Sequence, residues 1–579
     1  MSAATVVDLR CEYQTDPLGL DVRRPRLSWG LADDRRGAKQ TAYQVQAGST
    51  PGAADLWDSG KVESDECRHI ECECGNLASR QRVYWRVKVW DHQGSETDWS
   101  ADAWFEMGLL DRNEWKGEWI GTSLCGGPMT AAPTPMLRRA FGVDKPIAHV
   151  RLYITALGLY EATLNGRPIT NATLTPGWTA YNKRVQYQSY DITEHVQAGE
   201  NAIGVLLGDG WASGWVAWKG RQNYVDQPRL LAQLEVTHED GSVTTVATDE
   251  QWKWSTGPIL ASDLYMGTSY DARLEQPGWN APGFDDSGWF AIETFDDTGA
   301  AVVASASPPV RPIMELPSKH INDAGGTHLA PTKIYDLGQN MVGRVRIKVR
   351  GPRGATIRLR HGEMLQDNGS LYTENLRAAT ATDYYTLRGD GEEVFEPPFT
   401  FHGFRYVEVG RIRSTQIELL ELTGIVLHND MEQTGRFECS EPLINQLQSN
   451  IQWGQRGNFL EVPTDCPQRD ERMGWTGDAQ VFVRTACFNM DVAGFFTKWT
   501  QDLRDAQPAS GAYPCVAPNE AFCPEDGGPA WAEAGVICPW TIYECFGDKR
   551  ILDEHYDSME RFIAFLTRTS RDGIRVLPG

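Results

Sequence analysis

The stretch from Pro463 to Gln480, PTDCPQRDERMGWTGDAQ, concentrates side chains that could carry out chemistry. Four carboxylates, two arginines and an indole lie among turn-forming prolines and glycines: Asp465, Asp470, Glu471, Asp478, Arg469, Arg472 and Trp475. Carboxylates packed this closely repel one another and raise one another's pKa. Such a cluster indicates either a site that uses the acids or a solvated loop in which Arg469 and Arg472 neutralise them.

Paired carboxylates are the groups with which enzymes cleave glycosidic bonds. One carboxyl, kept protonated by its neighbours, gives its proton to the leaving oxygen, and a second acts as nucleophile or activates water. An arginine can hold a carboxylate or sugar hydroxyls through forked hydrogen bonds. The Trp475 indole could stack on a sugar ring. Glycoside chemistry is therefore one interpretation of these residue types, and the solvated loop is the other.

The spacing of apolar residues changes near residue 435, where helices replace strands. SEPLINQLQSNIQWGQRGNFL has apolar residues three and four positions apart, which predicts an amphipathic helix capped by Ser440 and Glu441. Four more helices are predicted in DAQVFVRTACFNM, VAGFFTKWTQDLRDA, AWAEAGVICPWTIYECFGD and KRILDEHYDSMERFIAFLTRT. The acidic stretch falls in the loop between the first two helices, where functional side chains are common.

Before residue 435 the pattern is that of short strands between turns. RVYWRVKVWD alternates apolar and polar residues, and Asn165-Gly166 predicts a hairpin turn. A chain of 579 residues is also too long for a single core. We therefore predict a multidomain protein with three N-terminal all-β sandwich modules followed by an all-α region, with boundaries at 1–110, 111–308, 309–432 and 433–579.

Composition and charge exclude several classes of function. The formal net charge of −23 would repel a phosphate polyanion, so no nucleic-acid partner is expected. No basic run and no apolar run of about 18–20 residues points to a membrane. The N-terminus, MSAATVVDLRCEYQ, does not have the pattern of a signal peptide, so we expect a cytoplasmic protein.

The cysteines give no sign of a metal site. There are 12, and the only close group is Cys67, Cys72 and Cys74 beside His69. Their spacing is not that of a zinc site, and a fourth ligand is missing. We expect most of them to be buried thiols in a reducing compartment, and we expect no metal and no cofactor.

PTDCPQRDERMGWTGDAQ, on a loop after the first helix of a late helical region, resembles the signature of bacterial α-L-rhamnosidases of glycoside hydrolase family 78. The segments LRCEYQTDPLGLDVRRPRLSW, YWRVKVWD, WFEMGLL, YDLGQNMVGRVRI, LRHGEML and FTFHGFRYVEV also resemble that family, in the same order. The resemblance covers essentially the whole chain. It implies a fibronectin III-like β-sandwich, a jelly-roll-like domain, a concanavalin-like β-sandwich and an (α/α)6 six-hairpin barrel for the four predicted units.

The resemblance also implies an activity and roles for residues. The family hydrolyses terminal α-L-rhamnose from glycosides with inversion, so a rhamnoside is the expected partner. Glu471 would be the general acid, although counting forward from Arg469 selects Asp470 instead. The implied substrate-binding residues come from the acidic stretch and from GGPAWAEAGVICPW: Asp465, Arg469, Trp475, Asp478, Trp531 and Glu533.

The helical region is expected to be incomplete. About five helices follow residue 435, whereas six hairpins need twelve, and the family's general base is expected further downstream. Expressed alone, the chain is therefore predicted to be poorly soluble or inactive on an aryl α-L-rhamnoside. Two alternatives are a non-catalytic rhamnoside-binding remnant and a different six-hairpin glycosidase.

Overall fold

The computed structural model describes residues 4–327, 330–412, 416–520, 522–524 and 527–575, without the side chains of 324–331. Three β-rich units come first, and a helical unit follows, as the patterns predict. The end of the chain, 576–579, lies outside the described residues.

The first unit is a two-sheet β-sandwich. Its sheets have the strand orders β1-β3-β6 and β2-β8-β7-β4-β5, and Trp29 and Trp85 are buried between them. Cys72 and Cys74 form a disulfide, which differs from the thiols expected there. The strands are β1 (Thr5–Cys11), β2 (Leu18–Leu20), β3 (Arg26–Ala32), β4 (Gln40–Gly48), β5 (Trp57–Asp58), β6 (Ile70–Glu71), β7 (Arg82–Asp91) and β8 (Ala103–Met107).

The second unit is also built from two packed sheets, and both enclose an apolar core. The predicted hairpin turn is present, since Asn165 and Gly166 both have positive φ between paired Leu164 and Arg167. Its elements are β9 (Trp119–Gly121), β10 (Pro135–Val143), β11 (Ile147–Leu157), β12 (Leu159–Leu164), β13 (Arg167–Pro168), β14 (Arg184–Asp191), β15 (Gly199–Gly208), α1 (Gly210–Ser213), β16 (Arg229–His238), β17 (Val243–Ala247), β18 (Lys253–Thr256), β19 (Ile259–Asp263), β20 (Gly267–Asp271), β21 (Phe290–Ala291), β22 (Glu293–Phe295) and β23 (Ala301–Ala304).

The third unit is dominated by one large sheet that also recruits the hairpin β19–β20. Its strands are β24 (Val310–Pro317), β25 (Lys319–Thr327), β26 (Ala330–Arg350), β27 (Thr356–Gly362), β28 (Met364–Leu365), β29 (Leu371–Tyr372), β30 (Thr382–Thr386), β31 (Glu392–Phe395), β32 (His402–Ile412) and β33 (Glu418–Asn429). Strand β20 pairs in parallel with β30, and the sheet continues as β27-β32-β26-β33-β24. The β19–β20 hairpin therefore belongs to the second predicted module by its place in the sequence but pairs with the sheet of the third unit.

The helical unit contains all five predicted helices. They are α2 (Pro442–Asn458), α3 (Thr476–Asn489), α4 (Ala493–Asp505), α5 (Ala534–Phe546) and α6 (Lys549–Thr569), with short strand pairs β34 (Phe459–Leu460), β35 (Val462–Pro463), β36 (Ser570–Arg571) and β37 (Ile574–Arg575). Glu441 alone caps α2, because its side chain accepts the Leu443 N–H while Pro442 occupies the first turn. Among the described residues, no helix is long and apolar enough to cross a membrane.

Buried ion pairs join the helices to the β units. Arg184 on β14 binds Asp502 and Asp505 on α4, and Lys498 on α4 also pairs with Asp502 at 2.9 Å. Helix α2 instead packs on β26 and β33 of the third unit. The loop between α2 and α3 is consequently held against β structure.

Candidate active site

The acidic stretch occupies the turn that leads from α2 through β34 and β35 into α3. Trp475 directly precedes α3, so Asp478 lies in the first turn of that helix. Gly474 has no room for a side chain, because a Cβ there would lie 2.2 Å from the carbonyl oxygen of Ala517. The stretch therefore requires glycine at a point of close backbone packing.

Two carboxylates of this loop face one guanidinium. Oxygens of Asp465 and Glu471 lie within 4.8 Å of each other, and an Arg469 nitrogen is 3.2 Å from Oδ2 of Asp465 and from Oε2 of Glu471. Burial raises the pKa of Asp465; a hydrogen bond with Cys466 lowers it, and the charge of Glu471 raises it further. The carboxylates are thus concentrated as a functional cluster requires, with Arg469 neutralising part of their charge.

A second guanidinium reaches the cluster from the third β unit. Arg377, at a φ of 56°, donates to Oδ1 of Asp470 and, at 2.8 Å, to Oε2 of Glu471. Sequence reasoning missed this residue, because it lies 94 positions from Glu471 in a segment without a charge cluster. Its left-handed backbone is not readable from the sequence, since arginine has no preference for that conformation.

The two candidate acids differ in what their oxygens contact. Asp470 is buried, and its oxygens accept from Arg377 and from the Ala378 N–H at 3.2 Å. Glu471 uses Oε2 for both arginines, and no hydrogen bond to its Oε1 is found in the described part of the chain. Glu471 therefore has an oxygen available for another group, whereas Asp470 is held on both sides.

Arg472 forms no salt bridge with the acids of the loop, although the solvated-loop interpretation predicted that it would neutralise them. It is buried and donates to main-chain carbonyl oxygens, including those of Leu264 and Phe401 at 2.7 Å each. Arg469 does pair with carboxylates, so only half of that salt-bridge interpretation is correct.

Two indoles lie near the start of α3. Trp531 is 39% exposed, and a Cβ on Gly477 would lie 2.7 Å from its Nε1, so the indole packs directly on that glycine. Trp475 is half-buried, and its Nε1 finds no partner among the described residues. A buried N–H without a partner is uncommon and suits a ligand oxygen.

Asp478 and Glu533 are placed differently from the central cluster. Asp478 and Asp465 line a cavity of about 300 Å³ between α2 and α3, together with Phe459 and Phe482. Glu533 directly precedes α5, and its buried Oε2 has no partner among the described residues. No described hydrogen bond or ion pair links Asp478 or Glu533 to Glu471.

A second group of ligand-type side chains lies in the third unit, behind the loop. His361, Asp383 and His402 are fully buried, and the two imidazoles stack with centroids 4.3 Å apart and planes 25° apart. Nε2 of both rings lies near Oδ2 of Asp383, at 3.8 Å for His361 and 3.3 Å for His402. Burial raises the pKa of Asp383 to about 6 and lowers that of His361 to about 3. At neutral pH the group is therefore a buried carboxylate beside two imidazoles that burial keeps uncharged.

Sequence profiles of four domain families match the chain. They are described as a Rha78A-like N-terminal immunoglobulin domain (residues 6–111), an alpha-L-rhamnosidase N-terminal domain (145–314), a bacterial alpha-L-rhamnosidase concanavalin-like domain (328–428) and a bacterial alpha-L-rhamnosidase 6 hairpin glycosidase domain (432–577). Together they account for most of the chain, in the predicted order.

Whole proteins are similar as well. An alpha-L-rhamnosidase of Streptomyces avermitilis is 36% identical, with 99% of this chain and 72% of that protein aligned. One from Formosa agariphila is 40% identical over 96% of this chain, which spans 61% of that relative. The crystal structure of the Streptomyces avermitilis enzyme complexed with L-rhamnose superposes with a TM-score of 0.96 at 34% identity, covering 100% of this chain and 72% of the other.

Proposed function

The chain belongs to the bacterial α-L-rhamnosidases of glycoside hydrolase family 78, and from this membership we propose that its acidic loop cleaves terminal α-L-rhamnose from glycosides. The observation that carries the proposal is the cluster of Asp465, Arg469 and Glu471, next to two indoles at the start of α3. Carboxylates, a guanidinium and indoles are the groups that bind sugar hydroxyls and sugar faces.

Glu471 is the general acid in this proposal. Its free Oε1 would give a proton to the glycosidic oxygen while Oε2 stays fixed by Arg377 and Arg469. Asp470 is the second candidate, but both of its oxygens already accept hydrogen bonds. Asp465 and Arg469 would bind rhamnose hydroxyls.

The remaining sequence-derived residues would surround the sugar. Trp475 and Trp531 would pack on the ring, Asp478 would contact the sugar from the first turn of α3, and Glu533 would offer its unpartnered Oε2.

Inversion is the stereochemical course that we propose. It requires a second carboxylate roughly 6.5–9.5 Å from the acid, so that a water molecule fits between them. We assign no described residue to that role. Hydrolysis by this 579-residue chain is therefore expected to be slow. A small anion that needs no deprotonation, such as azide, should replace the activated water.

The first test measures binding and turnover of the 579-residue chain together. We expect L-rhamnose to bind in calorimetry more tightly than L-fucose, and azide to accelerate release of 4-nitrophenol from its α-L-rhamnoside. The sugar C–O bond breaks, a C–N bond of inverted configuration forms, and the leaving oxygen departs as 4-nitrophenolate. Absence of both L-rhamnose binding and azide-stimulated turnover would overturn the proposed function.

Glu471→Gln then tests the acid. With azide present, the variant should lose about 100-fold in turnover of an alkyl rhamnoside, whose leaving oxygen needs a proton. The loss of turnover on the nitrophenyl substrate should be much smaller, because nitrophenolate departs without needing a proton. Asp470→Asn is the matched comparison and should show no such leaving-group dependence. The alternative of a non-catalytic rhamnoside-binding protein predicts binding without turnover in every variant.

A further inference from the structure

Arg472, the residue after Glu471, connects the acidic loop to two β units. Arg472 is 1% exposed, and its guanidinium donates to four main-chain carbonyls. Two of them, Gln468 at 3.2 Å and Arg469 at 3.1 Å, belong to the loop itself. The other two are Leu264, in the turn between β19 and β20, and Phe401, which precedes β32.

Aromatic rings complete the environment of this guanidinium. It lies 4.7 Å from the ring centroid of Tyr265 and 4.9 Å from that of Phe401. The hydroxyl of Tyr265 then donates to the main-chain oxygen of Glu471 at 2.8 Å. Cation–π contacts and hydrogen bonds thus act on the same few residues of backbone.

The charge of Arg472 is unusual because no described carboxylate pairs with it. Burial lowers its pKa to about 10, with the nearby Tyr265 acting in the opposite direction, so it stays protonated at neutral pH. A buried charge without a counter-ion is costly and persists only where surrounding dipoles stabilise it. Four carbonyl oxygens converging on one guanidinium supply those dipoles.

We propose that Arg472 is a positioning residue, which together with Tyr265 fixes the main chain of residues 468–471 so that the Glu471 carboxyl is held at a constant place. Lysine could not replace it, because an ammonium lacks the planar five-donor fork that reaches carbonyls on opposite sides. The consequence for catalysis rests on the proposed function, whereas the fixing of the backbone does not.

The backbone part of the proposal is tested by hydrogen–deuterium exchange on the full chain. In Arg472→Met and in Arg472→Lys, amides of residues 464–475 should exchange at least tenfold faster, while those of β26 and α4 stay protected. Tyr265→Phe should accelerate the same amides less. Unchanged exchange in this loop would overturn the proposal, and loss of protection throughout β26 and α4 would assign Arg472 to general stability instead.

The catalytic part is tested with the azide-assisted reaction. Misplacement of a reacting group by about 1 Å lowers the reaction rate about 100-fold. Arg472→Met should therefore lose about 100-fold in turnover of an alkyl rhamnoside and less in turnover of the nitrophenyl substrate. Arg484→Met is the matched control, because Arg484 also lies over a ring, that of Phe488, but is exposed on α3. Equal losses on both substrates would contradict the positioning of the acid. A wild-type chain that neither binds nor turns over rhamnosides would defeat the proposed function but leave the exchange result to decide on Arg472.

Discussion

Asp470 and Glu471 are neighbours in the chain, yet their oxygens have different surroundings. The family resemblance narrows the proposed acid to these two, because the motif counted forward from Arg469 selects Asp470 and counted back from Trp475 selects Glu471. The contacts that separate them come from Arg377 and the Ala378 N–H, both in another unit. Residue types on one loop could therefore identify the cluster, but not which oxygen remains free.

Gly474 gives a test of close packing at the scale of one residue. A Cβ there would lie 2.2 Å from the Ala517 oxygen and 2.8 Å from Nε1 of Trp499, so Gly474→Ala forces the backbone apart. We expect a loss of about 1–3 kcal/mol in the free energy of unfolding, measured by urea titration. Gly454→Ala is the control, because nothing lies within 4 Å of that position on α2. It should be neutral or stabilising by up to about 1 kcal/mol, and equal losses at both sites would contradict the packing argument.

At the scale of elements, the spacing of apolar residues and the type of turn residues predicted helices and a hairpin that the structure contains. The change of apolar period near residue 435 predicts five helices, and five are present in the described part of that region. The Asn165-Gly166 turn is confirmed for the same reason, since both signals are local. The insertion of β19–β20 into the third unit's sheet was not predictable, because strand pairing across more than a hundred residues leaves no local periodicity.

Helix α5 ends at a residue whose backbone conformation can be tested. Gly547 has a φ of 74° at the C-cap, and nothing lies within 4 Å of where a Cβ would stand. Gly547→Ala should therefore lower the free energy of unfolding by about 1 kcal/mol through conformation alone. Gly547→Asn should cost less, since asparagine tolerates the left-handed region better. An alanine variant as stable as the wild type in urea titration would show that this cap does not limit stability.

At the scale of the whole molecule, the interface between the second unit and the helices carries a buried carboxyl. Burial raises the pKa of Glu461 to about 7, although Lys498 acts to lower it. The unfolded chain keeps this pKa near about 4.3. The folded state therefore prefers the protonated form, and this contribution to stability is complete below about pH 4.3 and is lost as the pH rises through about 7.

Glu461→Gln keeps the side chain neutral and should remove that pH dependence. Relative to the wild type, we expect the variant to gain about 1–3 kcal/mol in the free energy of unfolding between pH 5 and pH 8. Urea titrations at pH 5, 6, 7 and 8 measure the difference, and Glu560→Gln, at an exposed position of α6, is the control. A constant difference between Glu461→Gln and the wild type across that range would contradict the assignment.

The sharing of the hairpin β19–β20 also affects how the chain can fold while it is being made. The main-chain N–H of Thr268 on β20 donates to Asp383 on the partner strand β30, 115 residues further along the chain. At a synthesis rate of about 5–20 residues per second, the hairpin waits roughly 6 to 23 seconds before its neighbour exists. During that interval one strand edge has unsatisfied amide and carbonyl groups, which invite pairing with another nascent chain. Slow translation of the codons between β20 and β30 would lengthen the time for which this strand edge is unpaired. The yield of folded protein should therefore depend on codon choice in that part of the gene.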